Sequence, residues 1–301
     1  IKVSSPRIVM YQVMRGMGKS LKGLLGLMLL AVIVLGSYRG VQSLFLDNEK
    51  YKLQEIDLQT NGYLDHARVV DLAGIDLGAT IFAVSTEDVR DRLSALPEVV
   101  QCDVQRRLPG TLQIKVQERV PVAWIQCESV GFLGRGADGV LIDENGVSFP
   151  CEGALWQASR NLPVIIMITA KSEDFDHGTK VKHVDLMRAL NLMKTFSEAD
   201  VREEWLPEQI TLINDYSMEL VCHSQSKAIF GMYEHKRQVE NYITIHEHCL
   251  AENRNSDNPG MKQKIKQMNL MPRKNIPVEF KKQPAQPEEP VLIKPRMPTT
   301  H

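Results

Sequence analysis

Val104-Gln105-Arg106-Arg107-Leu108-Pro109-Gly110-Thr111-Leu112-Gln113-Ile114-Lys115-Val116 holds two alternating runs around one tight turn. Upstream, Val100, Cys102 and Val104 alternate with Gln101, Asp103 and Gln105. Downstream, Leu112, Ile114 and Val116 alternate with Gln113, Lys115 and Gln117. A period of two over both arms, with Pro-Gly between them, predicts a β-hairpin with one apolar face.

That face needs a cover, and the residues before it supply one. Ser85 or Thr86 caps a helix with Glu87 and Asp88 in its first turn, Val89, Leu93 and Leu96 on one face, and Pro97 as its stop. Further back, Asp65 caps a shorter helix that turns Ala67, Val70 and Leu72 inward and closes at Gly74. Lys52 to Leu58 alternates as a strand, and Asn61-Gly62 turns the chain after it. The order over 51–120 is β-α-α-β-β, with both helices laid on the sheet. Glu118-Arg119 is expected to form an ion pair where this unit ends.

Residues 121–280 read as a mostly β domain with helices. Strands are expected at 123–126, 139–142, 162–168, 209–213, 218–222 and 228–230, and helices at 184–196 and 234–252. A final pair follows at 265–271 and 275–280. Asp143 to Gly146 has the chemistry of a hairpin turn. Five prolines after Phe280 predict a disordered Pro-rich tail over 281–301.

At the other end, Gly23 to Tyr38 carries no charge. Sixteen helical residues cover about 24 Å of a hydrocarbon core about 30 Å thick. Lys22 can snorkel, and Val41, Leu44, Phe45 and Leu46 extend the run. A transmembrane helix and juxtamembrane linker are therefore expected over 23–46, anchored by Leu24, Leu25, Leu29, Leu30, Val32, Ile33, Val34 and Leu35. A buried helix fits the basic flanks poorly. A cleaved signal peptide lacks a good site at Leu35-Gly36-Ser37-Tyr38. Lys2, Arg7, Arg15, Lys19 and Lys22 precede the run, which places 1–22 in the cytoplasm and the body outside it.

The net charge of −1 hides a polarity: +6 before Asp47, +6 from Pro259 onward, and −13 between. An acidic folded body argues against a nucleic-acid partner. Cys102, Cys127, Cys151, Cys222 and Cys249 show no metal-ribbon or disulfide-framework spacing, so buried free thiols are the better reading. His246-Glu247-His248-Cys249 invites a metal, but on a helix His248 points away from His246 and Cys249. No phosphate-binding, dinucleotide or nucleophile-elbow motif is present. An enzyme, a cofactor or a small-molecule substrate is not expected.

The run Leu96 to Ala123, the Leu141-to-Phe149 hairpin and the anchor upstream together resemble the FtsQ/DivIB family of bacterial division proteins, whose first exported module is a POTRA domain. The likeness covers roughly residues 20–280. It implies an α+β protein at the septum of the inner membrane, single-pass with its body outside the cytoplasm. Its implied role is a divisome scaffold whose partners are bitopic proteins of the FtsB/FtsL type and the septal peptidoglycan synthesis machinery. The competing reading is a POTRA-containing outer-membrane assembly or secretion factor, which would need a long barrel after its POTRA modules. The resemblance also implies an exposed last strand to which a partner adds its own. Asn275, Ile276, Val278 and Phe280 are the candidates here, with Arg273 and Lys274 placed to meet acidic residues. Pro277 lacks an N–H and fits such docking only if that position faces away from the partner; it could equally serve to protect a bare edge.

Overall fold

The computed structural model describes Met10 and residues 25–40, 48–255 and 263–281. The contacts divide the chain into two compact bodies, with the boundary between Arg119 and Val120. Residues 25–40 are helical, and Leu25 to Leu35 lie open, Leu27 with 73% of its surface exposed. Among the described residues no helix is long and apolar enough to cross a membrane. Leu24, the 41–46 part of the expected anchor and linker, and the Pro-rich 282–301 lie outside them.

From Glu55 to Arg119 the first body is a three-stranded sheet under two helices. Strand β1 (Glu55–Thr60) lies parallel to β3 (Thr111–Glu118), and β2 (Val99–Arg107) antiparallel to it, so β3 is central. Leu112, Ile114 and Val116 are buried as their alternation demands. Three expectations need correction. β1 starts at Glu55, not Lys52, because the preceding residues close on the Pro109-Gly110 turn: Gln54 N donates to the Gly110 carbonyl at 2.9 Å. A side chain at Gly110 would meet the Lys52 carbonyl at 2.5 Å. In β2 the pairing shifts between Val99 and Gln101, which buries Val99 and leaves Val100 half exposed. The helix His66–Ala73 buries Val69 and Ala73, one position round from the face expected, and Leu72 is open.

Both helix starts follow their caps. Asp65 accepts from Arg68 N and Ser85 from Asp88 N, while Gly74 closes the first helix at φ +61°, a conformation that suits glycine. Glu118 is the polar centre of this body. Its buried carboxylate accepts from Tyr63 N at 2.8 Å, from Leu64 N at 3.0 Å and from the Thr60 hydroxyl. Arg119 Nε donates to the Pro97 carbonyl at 2.8 Å.

The second body is built on one ten-stranded sheet. Its strands are β4 (Pro121–Cys127), β5 (Phe132–Leu133), β6 (Val140–Asp143), β7 (Ser148–Pro150), β8 (Val164–Met167), β9 (Pro207–Asn214), β10 (Ser217–Cys222), β11 (Lys227–Gly231), β12 (Ile265–Asn269) and β13 (Val278–Phe280). They lie in the order β13-β12-β11-β10-β9-β8-β4-β6-β7, with β5 attached to β4. Ala123, Ile125 and Cys127 enter one core, Trp124 the other, so β4 is covered on both faces. The helices Val184–Glu198 and His235–Asn255 supply the larger core with Leu186, Leu190, Phe196, Val239 and Tyr242. Asp143 Oδ1 accepts from Asn145 N and Val147 N, and Gly146 takes φ +83°, so both residues shape a turn.

Candidate protein-docking edge

The last two described strands are made by a long return. β11 runs into the His235–Asn255 helix, and β12 then comes back parallel to β11 at the register Lys227 opposite Gln267. Parallel neighbours require such a crossover. β13 folds back antiparallel on β12 and is the end strand of the sheet among the described residues.

The predicted site residues separate here. Val278 and Phe280 are in β13, which is three residues long, shorter than the 275–280 strand expected. Asn275 breaks it: its φ is +54°, a turn conformation that a ladder does not admit. Ile276 and Val278 are half-buried against the large core, while Phe280 is 39% exposed. Lys274 and Asn275 lie open on the turn. Arg273 pairs with Glu234 of this chain. Hydrogen bonding from Arg273, then from Arg237, holds the Glu234 carboxyl below its ordinary range. Arg237 also donates to the carbonyls of Pro272 at 3.2 Å and Met271 at 3.4 Å. Glu234 and Arg237 are the positioning residues that sequence reading missed. They lie some forty residues upstream, and no spacing rule joins them to the turn.

Backbone parity answers the question raised by Pro277. Its carbonyl accepts from Asn269 N at 3.1 Å, and Lys281 N donates to the Lys264 carbonyl at 2.7 Å. In a strand the N–H and C=O of one residue point the same way and alternate along the chain. Positions 277, 279 and 281 therefore face β12, and 278 and 280 turn their polar groups to the outer edge. The irregularity in this pair lies between Ile265 and Gln267 on β12, so the alternation of β13 is intact. The missing N–H of Pro277 falls on the inner side.

Residues 51–119 match the family described as POTRA domain, FtsQ-type. Residues 51–119 of the first body are a POTRA-type domain. Several curated relatives carry the name cell division protein FtsQ, three of them as follows. That of Geotalea daltonii is 27% identical over 40% of this chain and 43% of its own length. That of Streptomyces coelicolor is 29% identical over 40% and 42%. That of Rickettsia bellii is 29% identical over 61% and 73%. The chain spans about half the length of most of the curated relatives it matches. The POTRA domain is followed, as in the sequence reading, by a β-rich body of mixed α+β type.

Among the described residues no cluster of His, Cys, Asp and Glu is gathered to hold a metal. His246 lies instead in the core of the second body, stacked on Trp205 at 4.9 Å between ring centres, and burial pushes its pKa down to about 4. All five cysteines are buried and free. Burial raises Cys102 to about 11. At Cys222 burial also acts upward, but the hydroxyls of Ser224, Ser226 and Tyr242 together bring it below the ordinary thiol value.

Proposed function

We propose that this chain is a non-catalytic division scaffold, anchored through 23–46 with its cytoplasmic segment at 1–22 and its two bodies outside. It links cytoplasmic division components to septal peptidoglycan synthesis by binding other proteins. The β13 edge receives a strand from a short bitopic partner of the FtsB/FtsL type, as the resemblance implies. Main-chain hydrogen bonds at Val278 and Phe280 supply the affinity, and Ile276 and the exposed ring of Phe280 add side-chain selection.

The observation that carries this reading is the inward carbonyl of Pro277, which leaves the outer edge with its donors at 278 and 280. The names of the relatives support the process, and the terminal position of β13 supports the place. The test is capture of FtsB/FtsL-type partners by wild type, by Phe280→Ala and by a truncation after Pro272. The truncation should abolish capture with the POTRA domain still folded. Undiminished capture by the truncated form would move the interface elsewhere.

A further inference from the structure

The second body carries one large groove that the docking edge does not use. It has a volume of about 810 Å³ and is lined by Val122, Leu162, Met187, Met193, Val201 and Leu206, with Glu144 on its rim. Most of these side chains are half-buried and apolar, so the groove leaves hydrocarbon in water.

The sheet register places this groove at the end where β13 finishes. Phe280 lies opposite Ile265, the first residue of β12, and Gln267 of β12 opposite Lys227, the first of β11. Lys227 lies opposite Val221 near the end of β10, and Cys222 opposite Pro207, the first residue of β9. Val164 opens β8 beside Gln209 of β9 and Trp124 of β4. Leu206 and Pro207, Leu162 and Pro163, and Pro121 and Val122 are the residues at or just before those starts, and all six line the groove. Lys281 itself lines a smaller cavity of about 300 Å³ together with Glu204, Trp205 and Ser224. Leu206 and His223, the chain neighbours of Trp205 and Ser224, line the groove.

The sequence beyond Lys281 holds one apolar triplet, Val291-Leu292-Ile293, between Pro290 and Lys294. Val291 lies ten residue steps beyond Lys281, a reach of up to about 31 Å at the rise of an extended proline-rich chain. Four strand spacings from β13 to β9 amount to about 19 Å, and six to β4 to about 29 Å. We propose that the groove is the docking site of this chain's own Val291-Leu292-Ile293 segment, with Lys294 beside Glu144. Tethering makes a weak contact sufficient, because a short linker holds its end at millimolar effective concentration. A strand added at β13 and the docked triplet would then lie on either side of Lys281.

The test uses the full chain, purified in detergent, with p-benzoylphenylalanine replacing Leu292. Irradiation should give intramolecular adducts in the peptides holding Met187, Met193 or Leu206, and Met193→Glu should lower their yield several-fold. Adducts scattered over the body, or found only between heavy- and light-isotope copies, would overturn the proposal. A second measurement does not depend on a groove variant that folds. Leu292→Asp, which alters only the tail, should speed hydrogen exchange across Leu190–Ser197 several-fold over wild type. Equal exchange in the two chains would overturn it as well.

Discussion

Arg237 Nη1 donates to the Pro272 carbonyl at 3.2 Å, tying the long helix of the second body to the turn that launches β13. The edge strand is only three residues long, so its position depends on this turn. Arg237→Ala should cost about 1 kcal/mol of local stability, raising amide exchange in β13 roughly five-fold. Partner capture should fall with it while the melting temperature of the POTRA domain stays put. Unchanged exchange in β13 would show that the turn holds itself.

The parity of β13 yields a sharper contrast between neighbouring substitutions. Val278→Pro removes an outward N–H and should abolish partner capture while leaving the β12–β13 pair intact. Glu279→Pro removes an inward N–H and should free the strand from β12, seen as rapid exchange in both. If Val278→Pro captures partner as wild type does, the outer edge is not the docking surface.

In the POTRA domain, Glu118→Ala leaves the N–H groups of Tyr63 and Leu64 without their acceptor. It should destabilise the domain by about 1–3 kcal/mol in thermal melts. Gly62→Ala should act through the same contact, since a Cβ there would lie 2.5 Å from Glu118 Oε2. The two losses should be strongly non-additive when combined.

Ile114 is fully buried on the central strand, opposite Val104 of β2 and Leu58 of β1. Ile114→Asp would bury an unpaired carboxylate at a cost of several kcal/mol. Wild-type melting of this variant would refute the strand register.

Much of this is legible in the sequence. The hairpin 99–118, the caps Asp65 and Ser85 and the turn at Gly146 are local, and local chemistry dictates them. What failed was the fine phase. One bulge at Val99 and an offset of one position in the first helix change which residue is inside without changing the pattern's period. A strand near 275–280 is legible, though its bounds are not, since Asn275 at φ +54° starts it only at Val278. The Arg273–Glu234 pair is not legible, because the two residues lie across a helix and a strand, where sequence spacing carries no information.

His246 gives a pH test. Burial lowers its pKa to about 4, so the folded body prefers the neutral ring. Between pH 6.5 and 4 the unfolded chain binds the extra proton, and stability falls as pH drops through that window; it is fully present above 6.5. The difference is on the order of 3 kcal/mol. His246→Phe, which can keep the stack on Trp205, should flatten this slope in denaturant titrations. His235, also held low by burial, leaves a residual slope. An equal slope in the variant would assign the effect elsewhere.

The parallel pairing of β12 with β11 has a temporal side. Among the described strands β13 pairs with β12 alone, and β12 can take its place only after the Lys227–Gly231 strand and the helix behind it are formed. Among the described strands the edge is thus the last to form on a chain that emerges N-terminus first. A half-emerged or misfolded copy would have no complete edge to offer, so a partner that binds there selects for chains that have finished folding.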